Sequence, residues 1–211
     1  QALDLFRRMG DEFSIANCLN NIGGIYHARE QFDQAIAHYQ QALEIDRKLG
    51  RESEVSTRLN NIGTVYHSWK QHDQALTYFE QVLELFRTLG EEANIASSHS
   101  NIGVIYYEQE KYPEAIEHLG KSVEIIEKLR KTATGDVRRE YLAGQIGNYQ
   151  VLATCYIRIR DFAHAFHTIE LSRAKLLAER LTDSDNVKIP SLKQIQQNLS
   201  EDTAILIYAN T

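Results

Sequence analysis

The pattern of apolar and polar residues repeats every 40 positions and follows the period of an amphipathic helix. The phrase Asn-Ile-Gly begins at Asn21, Asn61 and Asn101. In its first copy, Ile22, Ile25 and Tyr26 are spaced at i, i+3 and i+4, which places them along one helical face. A second apolar series, which begins at Ala35 and Tyr39, follows a polar break. Each unit is therefore predicted to be a pair of helices.

Residues typical of helix ends recur with the same period. A glycine follows a helix end rich in cations at Gly10, Gly50 and Gly90, which predicts left-handed glycine caps. The second helix of each unit is expected to begin near Asp33, Asp73 and Pro113. An acid suits the positive end of the helix dipole there, and proline loses no hydrogen bond.

Glycine also occurs in the middle of each first helix, at Gly23, Gly63 and Gly103. A glycine costs about 1 kcal/mol relative to alanine in a helix, so a packing benefit is expected. Twelve residues after each glycine stands an alanine: Ala35, Ala75 and Ala115. We therefore expect glycine to face alanine at a close contact between helices, with Tyr26, Tyr66 and Tyr106 filling the space beside it.

The order of a small residue, tyrosine, alanine, an aromatic residue and alanine resembles the tetratricopeptide repeat (TPR), whose usual period is about 34 residues. The 40-residue period is similar to the longer repeats of kinesin light chains and related scaffold proteins. The resemblance implies an all-α fold, a right-handed α-solenoid of helix pairs, over residues 1–183. The first ten residues, 1–10, align with the second helix of a truncated repeat. Full repeats are expected at 14–50, 54–90 and 94–130.

A lengthened last repeat is expected at 136–183. Tyr156 and Ala165 keep the nine-residue spacing of Tyr26 and Ala35, but they follow an insertion of about ten residues. The insertion predicts a longer first helix for this repeat.

Residues 184–211 differ in character from the repeats. They predict a linker, a short helix and an apolar strand, TAILIYA. With ELSRAKLLAERL before it, this segment resembles the domain junction of bacterial TPR-CHAT proteins. The resemblance implies a following α/β domain that is similar to caspases and separases. Its His/Cys dyad would lie beyond Thr211.

The first helices of a TPR solenoid line its concave groove. The resemblance assigns to this groove Asn17, Asn20, Gly24 and His27, then Thr57, Asn60, Thr64 and His67, then Ser97, Ser100, Val104 and Tyr107. Amides, hydroxyls and imidazoles can hydrogen-bond the backbone of an extended peptide without requiring it to be charged. The alternative interpretation is an ordinary solvated helix face, which is also polar.

Groove cations are a feature of TPR clamps that bind a C-terminal carboxylate. The corresponding positions here hold Asn20, Asn60 and Ser100, which argues against such an adaptor. Asn21, Asn61 and Asn101 flank the groove positions. We expect these amides to form hydrogen bonds between repeats, because half-buried amides usually bond to protein groups.

The two cysteines form neither a metal-binding nor a disulfide pattern. Cys155 occupies an interior position that it shares with Ile25, Val65 and Ile105, which predicts a buried, reduced thiol. Cys18 aligns with Arg58 and Ser98, so its side chain is expected to be more exposed.

One histidine pair raises the question of a metal site. His164, His167 and Glu170 are three residues apart and share a helical face only in part. They fall short of the converging ligands that zinc needs, so a solvated outer face is preferred. No metal, cofactor or catalytic motif is predicted, and this chain is not expected to be an enzyme.

Charge and hydropathy restrict the partners further. The 211 residues include 29 acidic and 23 basic side chains, dispersed along the chain, with a net charge of −6. This balance argues against nucleic acid and anionic membranes as partners. No apolar run approaches the roughly 18 residues of a membrane span, and the N-terminal sequence lacks the order of a signal peptide. We interpret the chain as cytoplasmic.

The sequence thus predicts a non-enzymatic scaffold that binds a protein or peptide. By resemblance, it is the regulatory or recognition region of a larger TPR-CHAT protein whose following domain is a caspase-like cysteine protease. The alternative is a structural or self-assembly module whose groove is filled by its own next domain or by a second copy. In that case the C-terminal strand would favour self-association, since unpaired strand edges seek partners.

Overall fold

A computed structural model of the chain describes residues 2–132 and 146–181. Three sequence-based predictions lie outside these residues: the lengthening of the last repeat before Ile146, the linker with its short helix, and the strand TAILIYA. The described part of the chain forms nine helices and no strand. The all-α class and the division into helix pairs are therefore confirmed.

Within residues 2–132, and again within 146–181, short turns separate successive helices. Their bounds are α1 (Ala2–Met9), α2 (Glu12–Ala28), α3 (Phe32–Lys48), α4 (Glu52–Ser68), α5 (His72–Leu89), α6 (Glu92–Glu108), α7 (Tyr112–Thr132), α8 (Ile146–Arg158) and α9 (Phe162–Leu181). Helix α2 packs on α3, α4 on α5 and α8 on α9, while α3 also packs on α4. The chain divides into two compact units, residues 1–105 and 106–211.

The predicted helix ends are confirmed. The three glycines at the ends of α1, α3 and α5 have left-handed φ angles: 68° at Gly10, 67° at Gly50 and 70° at Gly90. Asp33 and Asp73 lie in the first turns of α3 and α5, where their charge meets the positive end of the helix dipole. Local residue chemistry therefore sets the boundaries of these helices.

The mid-helix glycines allow the close contact that was predicted, but the facing residue is different. A Cβ atom placed on Gly63 would lie 2.9 Å from Cε1 of Phe79, and one on Gly23 would lie 2.9 Å from Cδ1 of Tyr39. The aromatic ring sixteen residues later, rather than the alanine twelve residues later, faces each glycine. The prediction of alanine was wrong because a flat ring, as well as a small side chain, can fill the space that glycine leaves.

Aromatic rings beside these contacts confirm the predicted role of the tyrosines. In the first unit, the Tyr26 ring stacks on His38 at 5.2 Å and the Tyr66 ring stacks on Tyr78 at 5.5 Å. Both tyrosines also pack against the core cluster that contains Ile62. Ring stacking therefore recurs from repeat to repeat.

The interior position shared with Cys155 is buried in three described repeats but not in the first. Val65, Ile105 and Cys155 are each 0% exposed, whereas Ile25 is 54% exposed, so the prediction for Ile25 was wrong. Leu3 of α1 packs against the buried cluster that contains Ala16 and Leu19, and Ile25 is not part of that cluster.

The second unit has a core of its own. Leu119, Val123, Tyr149, Leu152 and Cys155 form its buried cluster, with Ala115. Burial raises the pKa of the Cys155 thiol to about 11. The thiol is therefore neutral near pH 7, as predicted for a small apolar residue.

Candidate functional site

The predicted groove residues of the first unit lie on the first helices of successive pairs. We call them the polar stripe: Asn17, Asn20 and His27 on α2, Thr57, Asn60, Thr64 and His67 on α4, and Ser97 and Ser100 on α6. Thr57 is exposed and the others are half-buried. Tyr107, the remaining predicted residue, belongs to the second unit, where its ring is tilted on Tyr112 at 6.3 Å.

Hydrogen bonds between asparagines connect the three helices of the stripe. Asn61 Nδ2 donates to Asn20 Oδ1 at 2.8 Å, and Asn101 Nδ2 donates to Asn60 Oδ1 at 3.2 Å. The predicted inter-repeat bonds of Asn61 and Asn101 are thereby confirmed. Asn21 is exposed, and its Oδ1 lies 3.5 Å from Nδ2 of Asn20 on the same helix.

These bonds fix the orientation of two stripe amides. A primary amide carries its acceptor oxygen and its two N–H donors on opposite branches. Because the oxygens of Asn20 and Asn60 face the following repeat, their NH₂ groups point away from that bond. Asn20 and Asn60 were predicted as groove residues. The structure shows that they also join the repeats, since each accepts from the next helix.

A buried ionic cluster lies at one end of the stripe. Arg58 Nε donates to Asp46 Oδ2 at 2.9 Å, and Arg51 Nη1 donates to Asp46 Oδ1 at 3.0 Å. Arg58 Nη2 reaches Asn17 Oδ1 at 2.8 Å, and Arg51 Nη2 reaches Glu54 at 2.6 Å. The hydrogen bond from Arg51 lowers the pKa of Glu54. Two arginines and two carboxylates thus neutralise one another beside Asn17.

The recurring pattern does not predict this cluster, but two departures from the repeat indicate it. Asp46 stands where the later repeats have Phe86 and Ile126, and Arg58 stands where the neighbouring repeats have Cys18 and Ser98. A paired departure from an apolar and a small residue to an acid and a base is the signal of an ion pair.

The prediction that Cys18 is more exposed than Cys155 is confirmed, but the polarity of the aligned residues Arg58 and Ser98 is not the reason. Arg58 is 4% exposed and Ser98 is 2% exposed, so the shared position is buried in both later repeats. Cys18 itself is half-buried. The polarity of the residue therefore did not indicate its exposure, because hydrogen bonds within the protein satisfy both polar side chains.

The hydroxyls of the stripe donate to their own helices. Thr57 Oγ1 bonds to the Ser53 carbonyl at 3.1 Å, and Thr64 Oγ1 bonds to the Asn60 carbonyl at 2.9 Å. Ser97 Oγ does the same to Ala93 at 3.1 Å. A hydroxyl whose proton is used in this way still offers its lone pairs as acceptors.

Imidazoles lie at the other end of the stripe. His27 Nε2 lies 3.0 Å from Ser68 Oγ, and the His67 ring is tilted on His72 at 6.1 Å. The first of these contacts joins α2 to the end of α4. The stripe therefore combines oriented amides, hydroxyls and imidazoles, and none of its members is a lysine or arginine.

The histidines predicted for the outer face of the last pair lie on α9. His164 and His167 are exposed, and His164 Nδ1 lies 2.7 Å from Asp161 Oδ2. Asp161 also accepts from the His164 backbone N–H at 3.2 Å, and this bond lowers the pKa of the carboxyl. His164 and Asp161 thus form a local interaction at the start of α9.

The first unit also has a pocket of about 390 Å³, which we call the outer pocket, and none of its lining residues belongs to the stripe. Its walls come from α3 and α5 and include Arg47, Tyr78 and Gln81, with Leu43 and Leu59 at its floor. The pocket is a single open depression, whereas the stripe repeats the same amide contact from helix to helix. None of the helices that the structure describes has the length and apolar character needed to cross a membrane.

Several solved structures share this fold at low sequence identity. BtubC (BKLC) from P. vanneervenii has a TM-score of 0.69 and 22% identity, over 86% of this chain and 71% of its own. Aspartyl phosphate phosphatase F from Bacillus subtilis has a TM-score of 0.69 and 15% sequence identity. The alignment covers 81% of this chain and 42% of the phosphatase. The chain therefore spans less than half of that phosphatase. A putative kinesin light chain from Podosopora anserina, with TPR-like repeats, has a TM-score of 0.59 and 18% sequence identity. The alignment covers 80% of this chain and 77% of that protein.

These identities show a shared fold and no more. No curated protein matches the sequence significantly. The family model of the tetratricopeptide repeat matches residues 1–48, 14–88 and 54–128. Its matches together extend over more than half of the chain and follow the helix pairs of the structure. The chain belongs to the tetratricopeptide repeat family.

Proposed function

We propose that the polar stripe binds an extended peptide segment of a protein partner. The observation that carries this proposal is the fixed orientation of Asn20 and Asn60, whose carbonyl oxygens accept from the next repeat. The NH₂ group of Asn60 is left as a donor for a ligand. Asn20 keeps one N–H for a ligand, beside the 3.5 Å contact from its Nδ2 to Asn21 Oδ1. An extended peptide has a carbonyl acceptor at every residue, and those carbonyls need partners when they leave water.

The charge of the stripe favours recognition of the peptide backbone. The stripe contains no lysine or arginine, and the nearby Arg58 is paired with Asp46. A terminal carboxylate would find no exposed cation among the stripe residues. Neutral amides can instead bond to carbonyls of many sequences, so the partner's side chains would contribute specificity at neighbouring positions.

The test begins with a peptide selected for binding. Random linear twelve-residue peptides displayed on phage are selected against the purified chain, and one binder is synthesised for affinity measurements. The variant N20D/N60D keeps an acceptor oxygen for Asn61 and Asn101 but replaces both NH₂ donors with oxygens. We expect the dissociation constant of the selected peptide to rise at least tenfold, about 1.4 kcal/mol or more.

A matched control separates this effect from added charge. Gln34 and Gln74 are exposed in the first turns of α3 and α5, so Q34E/Q74E makes the same chemical change at two equivalent positions. We expect its affinity to stay within about twofold of the original. Equal losses of peptide affinity in N20D/N60D and Q34E/Q74E would contradict the proposal. If substitution of Arg47 or Tyr78 weakens peptide binding while N20D/N60D does not, the peptide binds in the outer pocket.

We further propose that the repeats serve as the recognition region of a larger TPR-CHAT protein. Support comes from the resemblance of ELSRAKLLAERL and residues 190–209 to that domain junction. A coding sequence that continues past Thr211 into an α/β domain with a His/Cys dyad is the expected result. If self-assembly is the function instead, the mass of the purified chain will rise with concentration and N20D/N60D will abolish the rise.

A further inference from the structure

We infer that Arg58 is a positioning residue of the polar stripe, which holds the Asn17 amide with its NH₂ group directed at the bound peptide. This inference rests on the proposed function and adds a residue to it. Arg58 Nη2 donates to Asn17 Oδ1 at 2.8 Å across the junction of two repeats. The acceptor end of Asn17 is therefore occupied, and its donors face the opposite way.

Asn17 thereby joins the two oriented amides described above. It lies three residues before Asn20, so both side chains share one face of α2. Asn17, Asn20 and Asn60 each accept from the following repeat, and the donors are Arg58, Asn61 and Asn101. The same orientation recurs although the donor at Asn17 is a different residue type.

The rest of the ionic cluster explains how an arginine can take this role without adding charge to the stripe. Arg58 is 4% exposed, and Asp46, its partner at 2.9 Å, is 0% exposed. A buried guanidinium is stable only when it is paired in this way. Its planar, rigid fork bonds Asp46 and Asn17 together, which restricts rotation of the Asn17 amide.

The next repeat provides the variant that tests this role. There the positions of Asp46 and Arg58 are held by Phe86 and Ser98, and Phe86 packs against the core cluster. The double variant D46F/R58S therefore replaces the ion pair with residues that the same fold already accepts. It removes both buried charges together and leaves Asn17 in place without its donor.

A second variant tests Asn17 itself. Asn17→Asp keeps an acceptor for Arg58 but exchanges the NH₂ donor for an oxygen. We expect it to melt no lower than the original chain and to weaken binding of the selected peptide at least tenfold. D46F/R58S is expected to weaken binding about three- to tenfold, because the amide can then rotate, with its helical circular dichroism unchanged.

Coupling between the two positions distinguishes positioning from a purely structural role. If Arg58 orients Asn17, the penalty of Asn17→Asp becomes several-fold smaller in the D46F/R58S background than in the original chain. Independent, multiplicative penalties would overturn the inference, as would unchanged affinity in D46F/R58S. If Asn17→Asp has no effect while N20D/N60D weakens binding, this inference fails alone. If N20D/N60D also has no effect, the proposed function fails with it.

If D46F/R58S does not fold, Arg58→Lys provides the same test. A lysine can still pair with Asp46 but lacks the fork that reaches Asn17. We then expect several-fold weaker peptide binding at an unchanged helix content. Binding equal to that of the original chain would overturn the inference.

Discussion

Gly63 offers the sharpest test of how the repeats pack. Alanine is the best helix former, and replacing a helical glycine with it gains about 1 kcal/mol. At Gly63, however, the new methyl group would lie 2.9 Å from Cε1, 3.1 Å from Cδ1 and 3.2 Å from Cζ of Phe79. Normal carbon contacts lie at about 3.5–4.0 Å, so the ring or the helix must move by several tenths of an ångström.

The surroundings of Phe79 make that movement costly. Phe79 is 3% exposed, so its ring cannot swing into solvent. Overpacking of a buried contact typically costs about 1–3 kcal/mol. Subtracting the helix-propensity gain leaves an expected net loss of up to about 2 kcal/mol for Gly63→Ala. For a chain of this size, a loss of about 2 kcal/mol corresponds to a melting temperature lower by roughly 4–8 °C.

The assay is urea unfolding of the full chain, followed by circular dichroism at 222 nm. Gly120 is the matched control, because it is also helical and a Cβ there would meet nothing within 4 Å. Gly120→Ala should stabilise by about 0.5–1 kcal/mol through propensity alone. Phe79→Leu should reduce the penalty of Gly63→Ala by making room for the methyl group. Stabilisation by Gly63→Ala equal to that by Gly120→Ala would refute the close-contact account.

Two further results are expected. At pH 8, an aromatic disulfide reagent should modify Cys18 in the folded chain and Cys155 only after unfolding. The reason is that Cys155 is buried and that burial raises the pKa of its thiol to about 11. Rapid modification of both thiols in the folded chain would contradict the predicted burial. Asp11→Ala should lower the melting temperature at pH 7, because Asp11 accepts from the Ser14 hydroxyl and backbone N–H at the start of α2. The Ser14 bonds lower the pKa of Asp11, so its stabilisation is present above the unfolded pKa of about 3.9 and is lost as the pH falls through the lower folded value. A difference between Asp11→Ala and the original chain that persists below pH 2 would contradict this cause.

Much of the fold was predictable because its determinants are local and repeated. The glycine caps depend on one residue each, and Gly10, Gly50 and Gly90 all have the expected left-handed conformation. The helix pairs follow from apolar periodicity, which three successive copies make unambiguous. The bonds of Asn61 and Asn101 were also predictable, since a recurrent amide in a helix needs a partner.

The errors arose where the structure depends on distant residues. Gly63 faces Phe79 rather than Ala75, because helix rotation decides which side chain lies opposite, and sequence spacing does not report that rotation. Ile25 is 54% exposed although its position in the repeat is apolar, because burial depends on which helix packs against it. Neither result is contained in the pattern of a single repeat.

The ionic cluster was missed for a different reason. The repeat pattern contains only residues that recur, whereas Asp46 and Arg58 each occur in one repeat only. In the sequence, each resembles an ordinary polar helix residue. The fold brings the two side chains, twelve residues apart in sequence, to a distance of 2.9 Å. Paired departures from a repeat therefore indicate contacts that the repeat itself does not predict.

The most direct test of peptide binding by the stripe is nuclear magnetic resonance of the side-chain NH₂ groups during titration with the selected peptide. The account predicts that the NH₂ signals of Asn20 and Asn60 shift and exchange more slowly with solvent as they bond to peptide carbonyls. The signals of Gln34 and Gln74 should stay in place. Unchanged signals from Asn20 and Asn60 at saturation, with shifts at Gln81 in the outer pocket, would contradict the account.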